Sequence, residues 1–282
     1  LKGRIEAVVG HPGFSLARAM SIETYYERLR DGDEALRSDR DFVLEAVKDE
    51  GFNLEFATDQ LRADKEVVLA AVDQDCDALQ FASDELRKDV EVVRAAVGHK
   101  GSSLQWADPS VYGNKELAMI AVRTDGMIVK ILTEELKDDR EVALLAVSSD
   151  GDALMHVSTV FLADKEVMMT ALKSNGMLLE YAEFSLQADT EVVNIAIKWD
   201  GVALEFADKE LRASRETVMI AVKSNGRALE FASEELRKDK EVVFAACDRS
   251  PVARKFAIGW EDDEELDEFV RDARVRIQEQ GR

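Results

Sequence analysis

Apolar residues between Asp39 and Ala63 fall in two sets. Phe42, Val43, Ala46 and Val47 stand at i, i+1, i+4 and i+5, one face of a helix. Leu54, Ala57 and Leu61 stand at i, i+3 and i+7, with Phe56 between them, and predict a second, shorter helical element that could be broken. This pattern recurs every 25 residues without insertion or deletion. Clear copies are Asp64-Lys-Glu-Val-Val-Leu-Ala-Ala-Val, Asp164-Lys-Glu-Val-Met-Met-Thr-Ala-Leu and Asp239-Lys-Glu-Val-Val-Phe-Ala-Ala-Cys. One column is alanine in all nine copies, from Ala46 through Ala146 to Ala246. A small residue there predicts a close helix contact. A fixed period of this size predicts a stack in which each repeat buries its apolar face against its neighbours. The expected fold is all-α, an α-solenoid of nine 25-residue helical repeats. The rival is a leucine-rich-repeat-like α/β solenoid with Leu54-Glu-Phe56 as a strand, but the asparagine ladder and the Leu-x-x-Leu-x-Leu pattern are missing.

Polar columns punctuate the repeat. Asp39, Asp64, Asp89, Asn114, Asp139, Asp164, Asp189, Ser214 and Asp239 precede the longer helix as N-caps. Two residues later the column is always acidic, from Asp41 to Glu241. Nine carboxylates in line resemble a metal ladder, but an acid in the first turn also complements the helix dipole, worth about 0.3–1 kcal/mol each. The dipole reading needs no ion and is preferred. Glycine follows the helix at 51, 101, 126, 151, 176, 201 and 226, with Cys76 and Pro251 in the same column, and predicts a left-handed cap. Ser83, Asp208 and Ser233 predict a local cap for one further turn.

The repeat array spans residues 38–258. Residues 1–37 form an N-terminal cap or a fragment of a preceding domain, and 259–282 an acidic linker with a capping helix from about Glu264 to Gln278. The apolar side of that helix is Leu266, Phe269, Val270, Ala273 and Ile277. Residue 1 is Leu, so the natural N-terminus, with any targeting signal, is expected upstream.

Composition narrows the function. Hydrophobic residues make up 46% of the chain, enough for a continuous core. The formal net charge is -21, which argues against nucleic acid and anionic membranes as partners. No apolar run approaches the ~20 residues of a membrane helix. Cys76 and Cys247 lie seven repeats apart, beyond disulfide reach, and two unpaired thiols favour an intracellular reducing compartment such as the cytosol or an organelle interior.

The whole unit, Asp-(Lys/Arg)-Glu-Val-Val-Leu-Ala-Ala-Val followed by Gly-x-Ala-Leu-(Glu/Gln)-(Phe/Tyr)-Ala-Ser-(Asp/Glu)-Glu-Leu-(Arg/Lys), resembles the tandem repeats of the domain-of-unknown-function family number 4116 over roughly residues 38–258. The resemblance implies a helical repeat and no activity, cofactor or functional residue. Residues 1–20, with Leu1-Lys-Gly-Arg4-Ile5 and Gly10-His-Pro12, resemble a fragment of a ubiquitin-like domain.

Catalytic, cofactor and metal residues are expected to be none. His11, His99 and His156 share no ligand spacing, and no nucleophile elbow, phosphate loop or calcium loop occurs. His156 takes the aromatic column of Phe56, Phe81 and Phe206 and reads as a packed residue. The informative positions are those that break their own column. Met155 replaces Glu55, Gln80, Glu205 and Glu230, and Val160 replaces Gln60, Glu85, Glu135 and Glu210. Leu162 replaces Arg62, Arg87 and Arg212. Phe184 replaces Asp59, Asp84 and Glu234, and Trp199 stands in a polar column. These five are the candidate partner-binding residues, because apolar residues in solvent columns mark interfaces or local packing. The expectation is a non-enzymatic scaffold that binds a protein, with a basic surface as the complement. A structural linker or accessory subunit of an assembly, and an enzyme or receptor with an unrecognised site, are the alternatives.

Overall fold

In a computed structural model the described residues are 25–280. They form two compact bodies that divide between Thr133 and Glu134, and each is described by itself. The ubiquitin-like resemblance at residues 1–20, and His11 with it, lie outside the described residues.

Both bodies repeat one motif. The longer helices of the first body are α1 (Arg40–Asp49), α2 (Lys65–Gln74), α3 (Val90–His99) and α4 (Lys115–Thr124). Those of the second are α5 (Arg140–Ser149), α6 (Lys165–Leu172), α7 (Thr190–Trp199), α8 (Arg215–Ser224), α9 (Lys240–Arg249) and the terminal α10 (Glu264–Gln280). Each of α1 to α9 leads into a six-residue 3-10 helix, such as Cys76–Phe81 or Gly201–Phe206. A short turn or helix such as Phe184–Gln187 then leads to the next repeat. No strand occurs among the described residues, so each Leu-x-Phe segment is helical and the α/β alternative is excluded.

The sequence explains each element. The N-cap side chain accepts from the free N–H groups of the first turn, as Asp164 does from Glu166 and Val167. Val192, Val193, Ala196 and Ile197 are buried on one face of α7. The 3-10 helix is started by a second cap: Asp200 accepts from the Val202 N–H, and Asn225 from the Arg227 N–H. With three residues per turn, Gly201, Leu204 and Ala207 share its buried face. One backbone hydrogen bond then ties neighbouring repeats together. Within each body the residue before the short turn or helix donates to a carbonyl of the preceding repeat, as Ser83 does to Arg62 (2.9 Å) and Asp208 to Gln187 (2.9 Å).

The glycine column is not a set of left-handed caps. The sole positive φ among the described residues belongs to Gly259, at 80°. The column is glycine because the next repeat crowds it. A Cβ on Gly51 would lie 2.4 Å from the Ala71 carbonyl oxygen, and one on Gly176 would lie 2.4 Å from that of Ala196. The alanine column, fully buried, supplies the carbonyl that the glycine column must clear. The glycine hydrogen in that place points at the oxygen, the geometry of a Cα–H···O contact.

Helix α10 packs on α9 through Leu266, Val270 and Ala273, and Phe269 stacks on Phe244 at 4.9 Å. Ile277 is not part of the packed face: it is 43% exposed, because α10 runs on past Ala273, the last of its residues to be buried. His156 is half-buried rather than enclosed.

Candidate partner-binding face

The polar columns are consumed by the architecture. Within each body, basic first residues of the longer helices, Arg40, Lys65, Arg140, Lys165 and Arg215, reach the N-cap and the acidic column of the next repeat. Arg40 Nε lies 2.7 Å from Asp64 and its Nη2 2.5 Å from Glu66. Lys65 meets Asp89 and Glu91 at 2.8 and 2.7 Å. Arg140 meets Asp164 and Glu166 at 2.7 and 2.6 Å, and Lys165 meets Asp189 and Glu191 at 2.8 Å each. Arg215 pairs in the same way with Asp239 and Glu241. The acidic column therefore has a second use that its dipole role did not reveal. The signal is in the sequence. Where the first helical residue is Val90 or Thr190, the N-cap one repeat later is neutral, Asn114 or Ser214. These ion pairs hold Asp64, Asp89, Asp164 and Asp189 below the ordinary carboxylate range, chiefly through the hydrogen bonds from Arg40, Lys65, Arg140 and Lys165.

A second polar cluster lies in the first body. Asp77 accepts from Ser103 Oγ at 2.8 Å, from Trp106 Nε1 at 3.2 Å and from Lys100 Nζ at 2.5 Å. Its acceptors are all engaged with the next repeat, so it stitches two 3-10 helices together. No group of three or more His, Cys, Asp or Glu among the described residues is placed to hold a metal. No described helix is long and apolar enough to cross a membrane.

The apolar substitutions differ from all of this: Met155, Val160, Phe184 and Trp199 stand exposed to solvent. Phe184 opens the short helix Phe184–Gln187 and is 86% exposed. The preceding Glu183 N–H donates to the Leu162 carbonyl at 3.0 Å, which sets this helix beside the segment Thr159–Ala163 of the previous repeat. Val160, 65% exposed, lies on that segment, while the neighbouring Phe161 turns into the core. Leu162 is half-buried. Its counterpart Gln187 donates to the Leu179 and Glu180 carbonyls at 3.0 and 3.4 Å, and the same repeat geometry sets Leu162 beside Met155, which is 48% exposed. Met155, Val160, Leu162 and Phe184 thus form one strip on two adjacent repeats.

Trp199 does not join them. It is 60% exposed at the end of α7, with its Cβ beside Gly176 at the start of a 3-10 helix. The strip lies at and beyond the far end of the 3-10 helices. Sequence position groups these five residues, and the turn of the repeat separates the tryptophan.

The family described as Domain of unknown function (DUF4116) matches the chain at residues 20–62, 64–111, 114–161, 164–212 and 214–258. Each match after the first spans two consecutive 25-residue repeats. No curated protein and no solved structure matches the chain.

Proposed function

We propose that this chain, which belongs to the DUF4116 family, is a non-enzymatic scaffold that binds another protein through the strip of Met155, Val160, Leu162 and Phe184. The exposure of Phe184 carries the reading. A phenylalanine left in water forgoes about 1.5–3 kcal/mol of burial. Asp59, Asp84 and Glu234 fill the same column in sibling repeats, so the fold does not ask for an aromatic there. Aromatic side chains are the ones that anchor interfaces. The non-enzymatic part rests on the polar columns, whose carboxylates cap helices and pair with neighbouring repeats. The net charge of -21 favours a basic partner through long-range steering.

A second reading is a structural subunit held at its ends. Val252, Val275 and Ile277 are exposed near the C-terminus and favour it. Quantitative capture from the native source with the chain as bait separates the two. Loss of a stoichiometric partner on Phe184→Glu, with retention on Val275→Glu, is the result expected of the strip. The reverse result assigns the contact to the end and overturns the proposal.

A further inference from the structure

We infer that the strip receives an extended segment of the partner in which bulky apolar residues are followed by Lys or Arg at about every third position. This rests on the scaffold reading above and specifies what the strip takes.

Negative charge lies beside the strip. Met155 heads a row formed by one residue from each successive repeat: Met155, Glu180, Glu205 and Glu230, all exposed. None of these three glutamates has a cation within ion-pair distance among the described residues. The Glu183 carboxylate, next to Phe184, accepts from the Ser185 hydroxyl at 3.2 Å and has no ion-pair cation among the described residues. Elsewhere the repeat carries its own cations here. Lys137 pairs with Glu134, and Arg87 with Asp84. In the two repeats of the strip those basic places are taken by Leu162 and Gln187, followed by Ala163 and Ala188. The two repeats of the strip thus lack those basic side chains, and Glu180 and Glu183 have no ion-pair cation among the described residues. An exposed apolar strip with unpaired carboxylates on one side complements a ligand that is apolar at one end and cationic along the rest.

The spacing follows from the stack. Packed helices lie about 8–10 Å apart, so consecutive glutamates of the row are separated by about that distance. An extended chain advances about 3.3 Å per residue, so about three residues bridge one repeat. A segment laid along the row places apolar side chains at Val160 and Phe184 on the first two repeats, and cations at Glu180, Glu205 and Glu230 on the second, third and fourth. An anionic membrane or nucleic acid is repelled by the same row.

The test is selection of a random peptide display library on the intact immobilised chain. The selected peptides are expected to carry a bulky apolar head and Lys or Arg at about three-residue spacing. Their affinity should fall at least about tenfold on Phe184→Glu, as for a lost interface anchor. It should fall about as far on the double change Glu205→Lys, Glu230→Lys, and weaken when salt is raised. Lys130 and Lys255 occupy the same column, so the charge reversal is compatible with the fold, and an unchanged thermal midpoint verifies it. If Phe184→Glu abolishes binding and the charge reversal does not, the basic segment is wrong and the scaffold reading survives. If neither change matters, both fail. An empty selection, or a homodimer that Phe184→Glu dissociates, also overturns the inference.

Discussion

Gly201 and Ala221 fix each other across two repeats: a Cβ on Gly201 would lie 2.1 Å from the Ala221 carbonyl oxygen. The oxygen cannot retreat, because it also accepts the N–H of Asn225 at 2.8 Å, the bond that closes α8. Gly201→Ala is therefore predicted to destabilise the fold by about 1–3 kcal/mol, as overpacking does. Gly98 is the control. It sits within α3 with nothing within 4 Å of an added Cβ. Gly98→Ala should stabilise by up to about 1 kcal/mol through helix propensity. Denaturant midpoints of the two variants should move in opposite directions.

Thr190 and Ser214 mark the step where the ion-pair ladder is interrupted. Thr217, in a column otherwise apolar, is buried there and donates to Ser214 Oγ at 3.2 Å. Asn194 Oδ1 is buried on α7 without a partner. Thr190→Lys with Ser214→Asp restores the pairing seen between Lys165 and Asp189. The double variant should gain about 0.2–1 kcal/mol over the sum of the single changes, a coupling that a double-mutant cycle measures. Strict additivity would show that the ladder contributes nothing.

The ladder also sets a pH response. Asp64, Asp89, Asp164 and Asp189 are held low by their cations, so their stabilisation is complete above the ordinary carboxylate range of about 4. It is lost as pH falls through that range and below, because the unfolded chain takes up protons first. Lys65 and Lys165 are raised by the same pairs, so their share persists below about pH 10.4 and is lost as pH rises above it. Thermal midpoints should fall on both the acid and the alkaline limbs, and Lys165→Gln should make both limbs shallower. Limbs of unchanged slope in that variant would contradict the assignment.

The two thiols should react in order. Both are free, Cys247 buried and Cys76 half-buried. Burial pushes the Cys247 thiol up to about 11, so its thiolate fraction at pH 8 is about one in a thousand. Alkylation of the native chain should modify Cys76 first and Cys247 only on unfolding. Equal rates, read by mass spectrometry, would show that the α9 face opens readily.

The period, the capping residues and the helical class were legible because they are local or repeat in register. Asp164 before Lys165-Glu166 announces an N-cap from the sequence alone. Gly51 did not announce its role. A glycine after a helix has the same spacing whether it adopts a left-handed turn or clears a carbonyl twenty residues on, and that carbonyl is a tertiary neighbour. Trp199 shared the polar-column anomaly of Phe184, but column identity carries no information about which end of the 3-10 helix a side chain occupies. Ile277 followed the helical period of Leu266 and Ala273, yet a period does not say where the supporting surface stops. The ion-pair ladder was readable in principle, from Val90 with Asn114 and Thr190 with Ser214, once columns are compared between repeats rather than within them.

The most direct test of the scaffold reading is hydrogen–deuterium exchange of the intact chain with and without its captured partner. Slowed exchange concentrated in the segments 155–163 and 180–188, and absent in the Phe184→Glu variant, is the predicted result. Protection confined to α10, with the strip unchanged, would contradict it.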